Sequence, residues 1–343
     1  MTTMIGIDPH KATHTAVAID SEERVLDELR VRVSTSQVPQ LRAWATQFGE
    51  PAWAVESARG LGYLLAQQLV GAGETVFDVP PVLASRVRVL GSGRSQKNDP
   101  NDARSVAIAA LRSDRLTRVT TDDHPQVLRL LVKRHRDAAQ LRAKQIVRLS
   151  ALLCELQPGG IATRTTPQRA NELLEGLVVN DEVTRTRVLI AGELLDDILR
   201  LDTLLKMSKT RIETAVAASG TSLCDIVGIG PICAATIIGY TGDIERFPTK
   251  AHFATYNATA PLEASSGGRT RHRLNPRGNR QLNFAIHIAA VVQIRTGGEG
   301  RDYYDRKIAE GKTNKEAIRA LKRRISDRVY QHLMADTHPT ATS

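Results

Sequence analysis

Met4-Ile5-Gly6-Ile7-Asp8-Pro9-His10-Lys11-Ala12-Thr13-His14-Thr15-Ala16-Val17-Ala18-Ile19-Asp20 decides how the first third of the chain is read. An apolar run ends in an aspartate, Pro9-His10-Lys11 supplies turn residues, and a second apolar run, Thr15 to Ile19, ends at Asp20. Two such runs around a tight turn predict a β-hairpin. Working outward, Val25 to Val33 alternates as a third strand, Val38 to Gln47 is spaced as a helix, and Ala52 to Val55 reads as a buried strand. Gly60 to Ala72 has helical spacing, and Thr75 to Val79 is an apolar strand stopped by Pro80-Pro81. Mixed strands followed by alternating helices and strands predict an α/β domain.

Acidic residues sit at the ends of these elements. Asp8 ends the first strand, Glu56 in Ala54-Val55-Glu56-Ser57 ends another, and Asp99 and Asp102 in Asn98-Asp99-Pro100-Asn101-Asp102 open a helix. Burying such a carboxylate is unfavourable unless it is paired or binds metal. Three elements could therefore deliver four carboxylates to one pocket, and oxygen-only clusters of this kind hold Mg²⁺ or Mn²⁺. Phoshoryl transfer uses such sites because two divalent ions about 3.5–4 Å apart activate the nucleophile and stabilise the leaving oxygen. Purely local readings compete. Asp8 could cap the turn ahead of Pro9, Glu56 could be an exposed strand end, and Asp99 could be an N-cap with Pro100 as the first helical residue and Asp102 favouring the helix dipole. Gly6-Ile7-Asp8 leading into Thr13 and Thr15 also resembles the first phosphate loop of actin-like ATPases and sugar kinases, but no Gly-rich adenosine loop follows.

The 343 residues are 41% hydrophobic and 24% charged, enough for a sizeable core and for two domains. Lys+Arg 47 against Asp+Glu 37 gives net charge +10, which favours a polyanionic partner, nucleic acid first. Aromatics at 4% argue for contacts to phosphates over extensive base stacking. Cys154, Cys224 and Cys233 are too scattered for a zinc site or a disulfide framework, and no signal peptide is visible, so a reducing, cytoplasmic compartment is expected. No apolar run approaches the roughly 20 residues that span a bilayer.

Gly91-Ser92-Gly93-Arg94-Ser95-Gln96-Lys97-Asn98 reads as a flexible basic loop, with Arg94 and Lys97 toward nucleic acid. Gln126 to Leu156 is one long helix with Arg and Lys on its polar face, ended by Pro158-Gly159-Gly160. Leu194, Ile198, Leu201, Leu205, Ser208 and Ile212 alternate at spacings of four and three, a short coiled-coil seam. It reads either as bundle packing or as the surface joining protomers of a dimer or tetramer. A second compact helical unit follows from Ser222, and a disordered tail after Asp336. The expected division is residues 1–122, a catalytic α/β domain; 123–220, helical; 221–336, a helical domain with a serine loop; and 337–343, the tail.

Val227-Gly228-Ile229-Gly230-Pro231 resembles the hairpin of a helix-hairpin-helix, in which Pro231 starts a helix whose free amides bind a phosphate. A helix C-cap followed by a proline-initiated helix is the plain alternative. Ser265-Ser266-Gly267-Gly268-Arg269 leads into Arg271, His272, Arg273, Arg277 and Arg280, where guanidinium groups could clamp a phosphodiester beside a hydroxyl. Serine needs an activating group. No His or Asp stands at a spacing that identifies one, so the residues alone lean to a solvated turn that binds phosphate without chemistry.

Gly6-Ile7-Asp8-Pro9-His10-Lys11, Val55-Glu56-Ser57, Lys97-Asn98-Asp99-Pro100-Asn101-Asp102-Ala103-Arg104, Gly228-Ile229-Gly230-Pro231, and Ser265-Ser266-Gly267-Gly268 followed by Gly278-Asn279, taken in order, resemble the DEDD transposases of the insertion-sequence family numbered one hundred and ten, which includes pilin-gene invertases. The resemblance spans nearly the whole chain. It implies an N-terminal RuvC-like domain of the RNase H fold, a coiled-coil-bearing helical connection and a C-terminal helical transposase domain. It also implies that Asp8, Glu56, Asp99 and Asp102 are the metal-binding acids, that Ser266 attacks DNA and holds it as a phosphoserine, and that a structured RNA guides the enzyme to donor and target DNA. Pro9 stands where related chains commonly have a small or aliphatic residue, and Pro100 interrupts the usual Asp-Ala-x-Asp-Ala.

The favoured reading is a site-specific DNA recombinase using the acidic metal site and Ser266. A RuvC-like nuclease in which Ser266 only binds phosphate, and a non-enzymatic architectural protein in which the acids are caps, are the alternatives.

Overall fold

The structure is a computed structural model that describes residues 3–92, 98–113, 116–161, 165–263, 272–273 and 278–338. The chain divides into two compact units, Met1–Asp122 and Asp123–Ser343.

The first unit opens with the hairpin β1 (Met4–Pro9) and β2 (Thr13–Ile19), closed by a 2.9 Å hydrogen bond from the His10 amide to the Thr13 carbonyl. Then come β3 (Val25–Arg32), α1 (Gln37–Ala45), β4 (Ala52–Glu56), α2 (Tyr63–Gly71), β5 (Val76–Val79), α3 (Pro81–Ser92), α4 (Asp99–Leu111) and β6 (Thr117–Arg118). They form one sheet in the order β3-β2-β1-β4-β5-β6. β1, β4 and β5 run parallel, while β2, β3 and β6 pair antiparallel. This is a mixed α/β sheet, the class of fold the sequence predicts.

Alternation along the strands decides which residues meet which helices. Ile5, Ile7, Trp53 and Val55 join a core with Leu41 of α1 and Leu65 and Leu69 of α2. Met4, Val17, Ile19 and Ala54 face the other way, onto Ala84 of α3 and Ala103, Val106 and Ala107 of α4. Gly6 and Asp8 share the face of Met4, and Glu56 shares that of Ala54, so both carboxylates lie on the side covered by α4. That helix approaches very closely: a Cβ on Gly6 would stand 2.2 Å from the Ala103 carbonyl oxygen and 2.4 Å from the Ala107 nitrogen.

Two local expectations are corrected. Pro81 does not merely stop β5; it is the first residue of α3, a position where the missing N–H is tolerated. The helix therefore takes in Gly91 and Ser92, which the sequence places in the basic loop; residues 93–97 lie outside the described residues. At α4 the N-cap is Asn98, whose side chain accepts from the Asn101 amide at 3.0 Å, so Asp99 is inside the helix and free of capping duty.

The second unit is helical: α5 (His124–Leu156), α6 (Pro167–Glu175), α7 (Glu182–Ala218), α8 (Pro231–Thr241) and α9 (Lys250–Tyr256), then the short ladder β7 (Leu262–Glu263) and β8 (His272–Arg273), then α10 (Arg280–Thr296), α11 (Glu299–Ala309) and α12 (Asn314–Thr337). α5 and α7 pack antiparallel, because partner numbers fall along one as they rise along the other: His135 with Ser208, Arg142 with Asp202, Gln145 with Asp197 and Glu155 with Arg187. The heptad-like seam faces inward. Ile198 is 1% exposed and packs with Leu149 and Leu153, and Ile212 is fully buried with Leu128 and Val132. The seam is the interior of an intrachain hairpin and is not open to a second copy, since α5 supplies the complementary apolar face. A further apolar cluster joins these ends of α5 and α7 to α8, α10 and α12. α12 runs through Thr337, past the expected start of a disordered tail; residues 339–343 lie outside the described residues. Among the described residues, no helix is long and apolar enough to cross a membrane.

Gly6→Ala tests the close approach of α4. The added methyl meets backbone, which cannot rotate away, so overpacking should destabilise by about 1–3 kcal/mol. Thermal unfolding reads this directly, and an unchanged melting temperature would show that α4 can lift off the sheet freely.

Candidate active site

The site is built where the C-terminal end of β1, the end of β4 and the first turn of α4 converge. Asp99 and Asp102 lie in the first turn of α4, where the positive end of the helix dipole favours carboxylates. Asp8 is 6% exposed. A carboxylate oxygen of Asp8, one of Asp99 and a ring nitrogen of His10 all lie within 4.8 Å of one another. His10 Nε2 stands 3.1 Å from Asp8 Oδ2 and 3.5 Å from Asp99 Oδ1. Arg30 Nη2 approaches Asp99 Oδ2 at 3.4 Å, and Arg88 forms an ion pair with Asp102. Glu56 shares a hydrogen bond with Asp8. Directly after Glu56 the chain turns sharply: Ser57 has φ +52 and its carbonyl accepts from the Gly60 and Gly62 amides at 2.7 and 3.2 Å.

Electrostatics follow from this crowding. Burial pushes the Asp8 carboxyl up, His10 opposes, and the Asp102 and Asp99 charges push it further up. Burial also raises Glu56, as do the Asp8 and Asp102 charges, while Arg88 pulls it down. Both carboxyls are raised, with burial as the largest cause and the neighbouring acid adding to it at Glu56. Asp8 and Glu56 therefore resist ionising without added positive charge. Their oxygen-rich donor set fits a hard divalent cation, and the imidazole of His10 is compatible with Mn²⁺ as well.

Asp8, Glu56, Asp99 and Asp102 are thus neighbours. His10, Arg30 and Arg88 were missed as site residues in the sequence. For His10 the signal was its place two residues after Asp8 in the turn; the two arginines had none, since the sheet and α3 bring them in from a distance. Of the residues assigned to nucleic acid, Arg94, Lys97, Arg269, Arg271, Arg277 and also Ser266 lie outside the described residues. Arg273 lies in β8, opposite Leu262 in the ladder, and Arg280 is the exposed first residue of α10. Gly228 has φ +87, and a Cβ there would stand 2.7 Å from the Ala289 carbonyl oxygen, so its first duty is packing against α10. Gly230 is the exposed N-cap of α8, with Pro231 next and no side-chain cap.

An acidic, oxygen-rich cluster on a mixed α/β sheet, in a strongly basic chain, suits a metal-dependent enzyme that cuts and transfers DNA strands. Residues 5–158 match the transposase family model of IS110 DEDD enzymes, and residues 220–305 match that of the transposase IS116/IS110/IS902 family. Together the two matches cover well over half of the sequence, and the chain belongs to the IS110 family of transposases. It is 27% identical to an uncharacterized 44.8 kDa protein of insertion element IS116 from Streptomyces clavuligerus, over 94% of this chain and 92% of that one. It is 28% identical to an uncharacterized 43.6 kDa protein of insertion element IS110 from Streptomyces coelicolor, with the same coverage of both. Among solved structures, T. thermophilus RuvC in complex with Holliday junction substrate aligns at 17% identity and TM-score 0.27, over 35% of this chain and all of that one.

The raised values of Asp8 and Glu56 have a measurable consequence. Without metal, the folded chain binds protons at these positions more tightly than the unfolded chain, whose ordinary values are 3.8 and 4.5. Their contribution to stability is therefore full below those values and is lost as pH rises through the raised ones. A divalent cation takes over the proton's role, so the gain in melting temperature on adding Mg²⁺ should grow from about pH 4 to about pH 7. Asp8→Asn should flatten that growth; a gain independent of pH in the unaltered protein would contradict the coupling.

Proposed function

We propose that this transposase is a site-specific recombinase that cleaves and rejoins DNA using the acidic cluster and Ser266. The observation that carries the reading is the convergence of Asp8, Glu56, Asp99 and Asp102 on the α4 face of the sheet. These four would hold Mg²⁺, with Mn²⁺ as a substitute. The bound ions would supply Lewis-acid stabilisation of charge on the phosphoryl oxygens. Asp8 and Glu56 would bind the ions as carboxylates despite their raised values, and Arg30 and Arg88 would orient Asp99 and Asp102.

The Ser266 hydroxyl would form a bond to phosphorus as the bond to one deoxyribose oxygen breaks. The hydroxyl proton leaves to a base and the released oxygen is protonated. Attack by a DNA hydroxyl on the phosphoserine reverses the exchange and frees the serine. Arg94, Lys97, Arg269, Arg271, Arg273, Arg277 and Arg280 would hold phosphates, and Gly230 at the open start of α8 would admit another. The family resemblance supports a structured guide RNA; the need to hold two DNA partners supports a dimer or tetramer, and the scattered cysteines support action in the cytoplasm. Residues 1–122 would be the catalytic domain, 123–220 the helical connection and 221–336 the transposase domain. A nuclease in which the serine loop only binds phosphate is the second reading, favoured by the meeting of Asp8, His10 and Asp99 within the first unit alone.

Denaturing gels of the protein incubated with labelled cognate DNA and Mg²⁺ separate these readings. Ser266→Ala should abolish a covalent protein–DNA band while DNA affinity falls by no more than one hydrogen bond, about 0.5–1.5 kcal/mol. Asp8→Asn should abolish all reaction together with the stabilisation by Mg²⁺. Strand cleavage that survives Ser266→Ala, or a band that moves to Ser265, removes Ser266 as the nucleophile.

A further inference from the structure

Behind the two ends of the chain segment that contains Ser266, the second unit buries a run of connected polar side chains. Asn257 and Ser326 are fully buried and Lys322 is 7% exposed. Lys322 Nζ, from α12, donates to Asn283 Oδ1 of α10 at 2.6 Å. That bond orients the amide, so Asn283 Nδ2 donates to the carbonyls of Asn257 and Ala258 at 2.9 and 3.1 Å. Asn257 Nδ2 donates to Ser326 Oγ at 2.7 Å, and Asn257 Oδ1 accepts from the Thr259 amide and hydroxyl at 3.1 and 2.7 Å. Three consecutive residues just ahead of β7 are pinned in this way.

The returning chain is locked to the same place. Ala258 has φ +59, and a Cβ on Gly278 would stand 2.4 Å from the Ala258 Cβ. The Asn279 amide donates to the Tyr256 carbonyl at 2.6 Å, and its side chain caps α10 by accepting from Gln281 and Leu282 at 3.0 and 3.1 Å. Outgoing residues 257–259 and returning residues 278–279 are therefore fixed to each other and to α10 and α12. A satisfied buried network of this kind specifies one geometry more than it adds net stability.

We propose that Lys322, acting through Asn283, is a positioning residue for phosphoryl transfer: it sets the geometry of the paired stems 257–259 and 278–279. The assignment rests on reading Ser266, between those stems, as the nucleophile. Burial, with Arg319 adding, brings the Lys322 amine down to about 8. Charged or neutral, the amine keeps an N–H for Asn283, so the clasp persists on both sides of that value.

The test uses the full chain with labelled cognate DNA and Mg²⁺, and rates are expressed per folded molecule. Lys322→Met should slow covalent adduct formation by about 100-fold at saturating DNA, the scale of a displaced reacting group, with the half-saturating DNA concentration unchanged. Lys322→Gln, which restores an N–H donor, should recover much of that rate. Asn283→Asp keeps an acceptor for Lys322 but loses the donor to both carbonyls; it should be as slow as Lys322→Met, and the double variant no slower. If Lys322→Met reacts at the unaltered rate per folded molecule, or if the single effects simply add, the positioning role is overturned while the serine reading stands. If the unaltered protein forms no Ser266-dependent adduct, the serine reading fails and this assignment fails with it.

Discussion

At Gly6 the backbone of α4 stands against the backbone of β1 with no side chain between them, and the geometry of the site follows from that approach. From Gly6 to Asp8 the strand advances two residues, about 6.6 Å. From Ala103 back to Asp99 the helix advances four residues, about 6 Å. Strand end and helix start therefore reach the same level, and Asp8 meets Asp99 and Asp102 there. Any side chain larger than hydrogen at position 6 would push the helix away and pull the acids apart. Alanines at 54, 103 and 107 make the same close seat from the neighbouring positions.

That seat forces like charges together. The chain answers with partial counter-charges: His10 beside Asp8 and Asp99, Arg30 beside Asp99 and Arg88 on Asp102. Asp8 and Glu56 still have raised carboxyl values, first through burial and then through the neighbouring acids. A pocket with this residual negative charge is unfavourable in isolation, and binding a divalent cation converts the unfavourable interaction into affinity. The same logic explains why Asn98 caps α4. With capping assigned to an amide, the oxygens of Asp99 are not occupied by the helix's first amides and stay directed to the pairing with His10 and Arg30.

The hairpin, the buried strands and the strand-end acids were legible because alternation and chain order are local signals. What the sequence hid depends on distance or on ambiguous chemistry. Pro80-Pro81 signals both the end of a strand and the start of a helix, and only the packing of Ala84 against α4 shows that the second role holds. Asn98 and Asp99 are both good caps, so side-chain choice at that boundary could not be read from residue type. Arg88 reaches Asp102 across two helices, a pairing with no trace in spacing. The basic residues flanking Ser266 were legible as composition, but composition carries no geometry.

The seam of α7 shows the same limit from the opposite side. Heptad-like spacing states that one face must be covered by another helix; it does not state whose helix. Here α5 is long enough to run along α7, with ion pairs and hydrogen bonds that keep one antiparallel register from His135–Ser208 to Glu155–Arg187. A partner tethered through the same chain is always at high effective concentration, so it outcompetes a second copy for that face. The solvent-facing sides of the same hairpin leave Leu141, Val147, Leu189 and Leu199 exposed. The apolar spacing of α7 thus explains why the second unit holds together, and it is satisfied within one chain without any second copy.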